Sequence, residues 1–362
     1  MTDQAIELLM QLIATPSVSR KEDAASDIAE SFLQRHGINT LRYGNNIVAR
    51  SLRFDASRQT LLLNSHIDTV HPSASYTFDP YHPFIRDGRL YGLGSNDAGA
   101  SLVALMAVFI LFYKDETLPF NLLLGISAEE EVSGENGIRQ LLPSLAADGI
   151  PAIDMAIVGE PTSLRPAVAE RGLMVLDGVT RGIAGHAARD EGINAIYRAM
   201  SDIEKVVNHR FDRTSPSLGP IKISVTQISA GSQHNVVPDE CRWVADVRTT
   251  DAYTNTETAA ILQNAVSEFT TLTPRSTRLN ASVISSGHPL ARAATAMGLK
   301  PFVSPTLSDR ALMHGIPALK IGPGDSARSH TANEYVFLSD ITQGIDTYST
   351  LLLKLSETIR KQ

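Results

Sequence analysis

The sequence predicts an α/β protein. A mixed, largely parallel sheet flanked by helices is interrupted by an inserted β-α-β-β-α-β (ferredoxin-like) domain. Three observations carry this reading. In the first half, short apolar runs such as Leu61-Leu62-Leu63 alternate with stretches of helical spacing, the pattern of strands buried on both faces between crossover helices. The middle of the chain switches to two strand-helix-strand units placed in succession. The last stretch returns to the style of the first.

Taken in order, Ala5 to Leu12 and Ala24 to His36 space their apolar residues as helices do. Thr60 to Asn64 reads as a buried strand, Gly99 to Tyr113 as a helix, and Asn121 to Ile126 and Ile153 to Val158 as two more buried strands. Next come a strand at Met174 to Val179, a helix at Ile193 to Val207, and strands at Ile221 to Ile228 and Trp243 to Val247. A helix at Thr256 to Phe269 and a strand at Leu279 to Val283 complete the split βαβ order. A helix at Leu290 to Met297, a buried strand at Ala318 to Ile321, the turn Gly322-Pro323-Gly324 and an amphipathic terminal helix follow. The implied organisation is an outer domain in two parts, 1–167 and 285–362, around an insertion at 168–284.

A chain of 362 residues suits two domains of about 100–200 residues each. With 43% hydrophobic and 20% charged residues it can bury a core. The 39 acidic residues against 32 Lys plus Arg give a net charge of −7, which argues against a nucleic-acid face. The one cysteine, Cys241, excludes an intrachain disulfide and a Cys-rich zinc site, and fits a reducing compartment. The opening MTDQAIELLMQLIATP lacks a basic stretch and reads as an amphipathic helix, not a signal peptide. The apolar run Ser101 to Tyr113 falls short of the roughly 18 residues that span a bilayer. The expectation is a cytoplasmic protein without nucleic-acid or membrane partners.

Each strand end of the outer segments carries a His, Asp or Glu. His66-Ile67-Asp68 follows LLLNS, and ligands of open α/β sheets collect beyond the carboxyl ends of strands. The period of two puts His66 and Asp68 on one side, where Asp68 could accept the second ring N–H of His66 and fix a metal-ligating tautomer. GLGSND, ending at Asp97, lacks the last glycine of a dinucleotide fingerprint, and an anion there would oppose a pyrophosphate. The plainer reading is that Asn96 or Asp97 caps a helix starting near Ala98, which leaves the two glycines unexplained. Glu129-Glu130-Glu131 follows NLLLGISA; the three carboxylates repel one another unless water or a cation compensates, and a solvated acidic turn is the alternative. Glu160 follows IDMAIV, and Ser329-His330-Thr331-Ala332-Asn333-Glu334 follows the Gly/Pro turn. Imidazole and carboxylate without thiolate suit Zn²⁺, Co²⁺ or Mn²⁺. Five such ligands sharing one carboxylate can hold two metals about 3.5–4 Å apart, a pair that acidifies a bridging water and polarises a carbonyl. A carboxylate outside the ligand set could then act as general base.

HID at His66, GLGSND, EEEVSGENG, VGEPT, GHAARDEGINA, NVVPDE, DVR and GPGDSARSHTANE occur in that order. Over essentially the whole chain this resembles the M20 family of metallopeptidases and deacylases, and within it the acetylornithine deacetylase-like enzymes of arginine biosynthesis. The resemblance implies that His66 and Glu160 bind one metal, Glu131 and His330 the other, and that Asp97 bridges them. It implies that Asp68 orients His66 and that Glu130 is the general base, with Glu129-Glu130 as the alternative register of the acidic pair. It makes the insertion a lid and dimerisation domain. There His186 reaches the partner subunit's site to stabilise an oxyanion, and Asn235 and Arg248 hold the substrate backbone. The plainer readings are that His186 caps a helix and that Arg248 pairs with Asp246 or another surface acid.

The implied cofactors are two divalent ions, zinc first, with cobalt or manganese as alternatives. The implied partner is a second copy of the chain. The implied reaction is hydrolysis of the linear amide of an N-acyl-L-amino acid such as N-acetylornithine, N-acetylcitrulline or N-succinylornithine. A dipeptidase or aminopeptidase of the same family and a non-catalytic small-molecule binder are the rivals. A succinyl group would call for an extra cation, with Arg328 and Arg189 as candidates. Two departures from the family pattern stand out: Ala98-Gly99-Ala100 replaces Met-Lys-Gly after Asp97, and Ser133-Gly134 replaces the commoner Gly-Ser or Gly-Cys.

Overall fold

The structure is a computed structural model, and it describes residues 1–189 and 191–361. The chain forms two compact units: Met1–Val168 with Ile284–Phe302 and Ser308–Gln362, and Ala169–Val283 with Val303–Leu307.

The first unit is built on a mixed sheet. Its strands run in the order Thr40–Tyr43, Asn46–Arg50, Asn121–Ser127, Thr60–His66, Met155–Val158, Ala318–Lys320, with Ala167 paired to Lys320 beyond. The central strands Asn121–Ser127, Thr60–His66, Met155–Val158 and Ala318–Lys320 are parallel, and the two at the near edge are antiparallel. Every residue of Thr60–His66 and Asn121–Ser127 is buried, which is why these strands read as unbroken apolar runs rather than alternating ones. On one face Leu61, Leu63, Leu122, Leu124, Ile157 and Leu319 join a single core with the helices Thr2–Ile13, Asp23–Arg35, Ala100–Phe112, Pro289–Ala296 and Leu338–Arg360. Helix Ala100–Phe112 is apolar all round because every residue from Ala100 to Phe109 is buried, as in core helices. The stretch Ser95–Phe112 is long and apolar enough to cross a membrane, yet 78% of it is buried inside the chain.

The parallel register aligns the carboxyl ends of three strands. His66 stands opposite Ser127, and Asn64 opposite Val158. Chain crossings tie these ends together: the Ile67 N–H donates to the Ser127 carbonyl at 2.9 Å, and the Gly159 N–H to the Asn64 carbonyl at 2.7 Å. The segments that follow, 67–69, 128–133 and 159–163, therefore start side by side. A small antiparallel sheet of Phe84–Arg86, Arg89–Tyr91 and Tyr335–Phe337 joins the Gly92–Asp97 segment to the chain after His330.

The second unit is a four-stranded antiparallel sheet in the order Lys222–Ala230, Glu240–Thr249, Gly172–Arg181, Thr270–Pro274. Helices Ala195–Val207 and Asn255–Ala265 complete the β-α-β-β-α-β order. Met174, Leu176, Trp243, Ala245, Val247, Ala199, Val206 and Leu262 form its core. A Cβ at Gly178 would lie 2.3 Å from the Trp243 ring, so the strand needs glycine there. The last strand of this motif differs from the expected Leu279 to Val283. It is Thr270–Pro274, and the preceding helix stops at Ala265. TTLTP has only one aliphatic side chain, Leu272, and so gives little strand signal. Its inward face is completed by hydrogen bonds: the Thr270 hydroxyl donates to Asp202 and lies 2.8 Å from that of Thr180. Within 279–283, only Ser282–Val283 forms a short strand, and the Leu279 carbonyl accepts from the Leu173 N–H and the Asn255 side chain.

Candidate metal centre

His66 ends its strand with its ring 2% exposed. Its Nδ1 lies 2.9 Å from the Asp68 backbone carbonyl and 3.4 Å from Asp68 Oδ1. The carbonyl can only accept, so Nδ1 donates its N–H to it and Nε2 faces outward from the strand end. There Nε2 meets Asp97 Oδ1 at 3.4 Å and Glu160 Oε1 at 3.9 Å. The ring orientation expected of Asp68 thus comes chiefly through its main chain. Its carboxylate mainly serves the acidic turn. Oδ1 accepts the Glu130 N–H at 3.0 Å, and Oδ2 accepts the Glu131 N–H at 3.1 Å and the Ser19 hydroxyl at 2.6 Å. Burial works against this carboxylate, but the bonds from His66, Ser19 and Glu131 leave it below the usual range.

The acidic turn is not a solvated one. Glu129 is buried, and its carboxylate accepts the Asn136 side-chain amide at 2.8 Å, away from His66. Glu130 and Glu131 are the pair directed toward His66. Glu129 and Ser133 both adopt left-handed φ, +54° and +47°, which pinches the turn. A Cβ at Gly134 would sit 1.8 Å from a Glu129 carboxylate oxygen. In the Ser133-Gly134 order, therefore, serine takes the left-handed position while the crowded one stays free of a side chain.

Asp97 lies in the irregular turn Ser95–Gly99. Neither Asn96 nor Asp97 caps the next helix, which has no side-chain cap. The Asn96 amide instead bonds the Asp325 main chain, and Asp97 lies between two imidazoles, with Oδ1 toward His66 and Oδ2 3.6 Å from His330 Nε2. The glycines also have their reason. Gly92 and Gly94 adopt φ of +148° and +75°, and Cβ atoms there would lie 2.3 Å from Ile13 and 2.6 Å from Thr69. His330 Nε2 lies 3.0 Å from Glu131 Oε2.

Two overlapping groups, His66 with Asp97 and Glu131, and His66 with Glu130 and Glu160, can each bring their ligand atoms within 4.8 Å of one another. Glu130, the expected base, thus falls within one of these groups together with His66 and Glu160. Burial pushes Glu160 up to about 8 and Glu130 well above the usual carboxylate range, with neighbouring acids adding to the effect in both. The hydrogen bond to Glu131 pushes His330 up to about 9. Burial opposes the charge on His66, yet Asp68 and Asp97 still raise its pKa well above the ordinary imidazole value. Acids that converge in a buried space and compete for positive charge form a donor set that divalent cations fit, and its imidazole and carboxylate chemistry suits zinc, cobalt or manganese.

Three buried carboxylates around this cluster received no role from the sequence; Glu22 and Asp309 lie outside its motifs, and Glu334 lies within one. Glu334, in the SHTANE run, accepts backbone N–H groups from the Asp97 turn. Glu22 accepts the Glu129 N–H at 3.3 Å and the Asn45 side chain at 2.9 Å. Asp309, pushed to about 6 by burial, accepts the Ser127 hydroxyl. They serve main-chain N–H groups, a hydroxyl and, for Glu22, the Asn45 side-chain amide, all brought close by folding.

Of the remaining expected residues, His186, Asn235, Arg248 and Arg189 belong to the second unit. His186 pairs with Val236 in a two-residue ladder, and its Nδ1 accepts the Ala188 N–H at 3.2 Å, the local capping role foreseen as the plainer reading. The Asn235 carbonyl accepts the Ala187 N–H at 3.0 Å, so His186 and Asn235 are brought together. Arg248 binds Asp246 through two bonds, 2.8 and 3.1 Å, at a partly exposed position. Arg189 is exposed, and Asp190 of the same motif lies outside the described residues. In the first unit, Arg328 lies over the Tyr335 and Phe337 rings and 3.4 Å from Asp340.

Residues 62–354 match the family model described as Peptidase family M20/M25/M40. Among curated proteins, a succinyl-diaminopimelate desuccinylase of Cereibacter sphaeroides is 28% identical over 291 residues, 77% of this chain and 76% of that protein. One from Stenotrophomonas maltophilia is 30% identical over 249 residues, 65% of each. Among solved structures, aminopeptidase PepT of Bacillus cereus superposes with a TM-score of 0.76 at 18% identity, covering 98% of this chain and 99% of that one. The Bacillus subtilis YXEP protein, described as a dinuclear metal binding peptidase, gives 0.73 at 15% identity, covering 99% of each. At such identities these structures show a shared fold.

Proposed function

The chain belongs to peptidase family M20/M25/M40, and on that premise we propose that this hydrolase cleaves the amide bond of an N-acyl-L-amino acid with the help of two divalent ions. The observation that carries the reading is the convergence of His66, Asp97, Glu130, Glu131, Glu160 and His330 beyond aligned strand ends. His66, Asp97, Glu131, Glu160 and His330 would hold the ions, with Asp97 between the two imidazoles. Zinc is the first choice, with cobalt or manganese next. Bound there, the ions supply a water of lowered pKa and polarise the scissile carbonyl. Glu130, as the carboxylate, takes a proton from the attacking water and passes it to the leaving amine; burial raises its pKa and so strengthens it as a base. His186, reaching the site of a partner subunit, donates an N–H to the oxyanion. Asn235 and Arg248 hold the amino-acid portion, the guanidinium exchanging Asp246 for the α-carboxylate.

Within this class the candidates are N-acetylornithine, N-acetylcitrulline and N-succinylornithine of arginine biosynthesis. N-succinyl-diaminopimelate, the substrate in the names of the curated relatives, stands beside them. A cytoplasmic location belongs to the same reading, supported by the free, buried Cys241. The test is amine release from these four compounds and from dipeptides, with metal content measured on the same protein. Acyl-amino acids should exceed dipeptides in kcat/KM by at least about tenfold, roughly 1.4 kcal/mol of transition-state discrimination. The reverse preference would make the chain a peptidase. Two metals per chain without hydrolysis of any compound would make it a binding protein.

A further inference from the structure

We infer that Glu334 is a positioning residue that holds Asp97 in ligating geometry before any metal binds. The inference rests on the reading of Asp97 as a metal ligand and goes beyond it to what keeps that ligand in place. The turn from Gly92 to Asp97 directs three main-chain N–H groups at one point. Glu334 Oε2 accepts from Gly94 at 2.9 Å, and Oε1 accepts from Asn96 at 2.8 Å and Asp97 at 2.9 Å. The Glu334 carbonyl accepts a fourth N–H, that of Gly92, at 3.1 Å. Glu334 is 2% exposed, so no solvent acceptor stands ready to replace it.

Successive main-chain N–H groups around a left-handed residue form a concave anion site, and Gly94 at φ +75° supplies that geometry. Here the acceptor group in that site is a carboxyl supplied by the chain itself, 237 residues after Asp97. The bond to the Asp97 N–H fixes the residue next to its Cα, and so fixes where its carboxylate points between His66 and His330. Glu334 also follows His330 by four positions, so one side chain links the segments that carry two of the proposed ligands.

A carboxylate can serve all three donors; a carboxamide cannot. Glu334→Gln keeps the volume but offers one acceptor oxygen, and its NH₂ group must face at least one N–H. The measurement is zinc affinity of the full chain by competition with a chromophoric chelator, together with thermal melts of the metal-stripped forms. The control is Asn121→Ala. Asn121 bonds Asp55 and Arg58 at the opposite end of the sheet, so its loss lowers stability without touching the ligands.

Glu334→Gln is expected to weaken at least one of the two zinc sites by about 10–100-fold, the size usual for groups that orient ligands. Asn121→Ala is expected to lower the melting temperature and leave both affinities at the wild-type value. Glu334→Asp, which keeps the charge but shortens the reach, is expected to lose less and stands in if the Gln variant does not fold. Wild-type affinity in Glu334→Gln, or an equal loss in Asn121→Ala, overturns the inference while the metal reading survives. A wild-type chain that takes up no zinc, or an Asp97→Asn variant that binds it unchanged, overturns the metal reading and this inference with it.

Discussion

Asp68 Oδ1 accepts the backbone N–H of Glu130 at 3.0 Å. The other oxygen of the same carboxylate takes the Glu131 N–H, and the Asp68 carbonyl takes the His66 ring. One residue therefore sets the placement of an imidazole and of two carboxylates from a different strand. Its position two residues beyond His66 lets it do so, because strands Thr60–His66 and Asn121–Ser127 end level with each other.

Asp68→Asn should consequently do more than loosen His66. The amide has one acceptor oxygen, and its NH₂ group would face a main-chain N–H of the acidic turn. A fall in kcat and in metal affinity of about 10–100-fold each is expected, read by steady-state kinetics and chelator competition. An unchanged kcat would show that the turn holds Glu130 without Asp68.

Glu130→Gln separates proton transfer from metal binding. The variant should retain its fold and metal content by circular dichroism and elemental analysis, and lose about 10²–10⁴-fold in kcat. Because a Glu130 oxygen lies within 4.8 Å of donor atoms of His66 and Glu160, a loss of metal along with activity would reassign it as a ligand.

Asp202 should contribute to the acid stability of the second unit. Its buried carboxylate accepts from Lys205, Ser267 and Thr270; burial works against the charge, but these bonds overcome it and lower the pKa. A lowered folded pKa stabilises the fold above the unfolded value of about 3.9, and that contribution is lost as pH falls through the folded value. Asp202→Asn should thus destabilise by about 1–3 kcal/mol at neutral pH. In urea titrations, the gap from wild type should close below about pH 4. A gap that persists there would exclude charge as its cause.

The proposed homodimer has a testable face. Lys222–Ala230 is an edge strand, and edges left long and uncovered invite pairing with another chain. Ile228 on this strand is 56% exposed, and helix Ala195–Val207 exposes Tyr197 at 72% and Met200 at 59%. Wild type should run as a dimer by light scattering, and Tyr197→Glu with Ile228→Lys as a monomer with a near-native melting temperature. A monomeric, fully active wild type would end the in-trans role of His186.

Hydrophobic spacing alone was enough to locate where chemistry could gather. His66 and Glu160 follow apolar strands, and Glu131 lies in an acidic turn after another. Strands buried on both faces betray their carboxyl ends because polar residues begin there. The β-α-β-β-α-β order of the insertion was legible in the same way, since such spacing survives local detail. Which of three consecutive glutamates turns away was settled by folding. Left-handed φ at Glu129 and Ser133 breaks the alternation that a strand would impose. Long-range contacts likewise made Thr270–Pro274 a strand and set Glu22, Asp309 and Glu334 to brace the site. Their partners are main-chain N–H groups, a hydroxyl and the Asn45 amide, and only folding brings these donors to the three carboxylates.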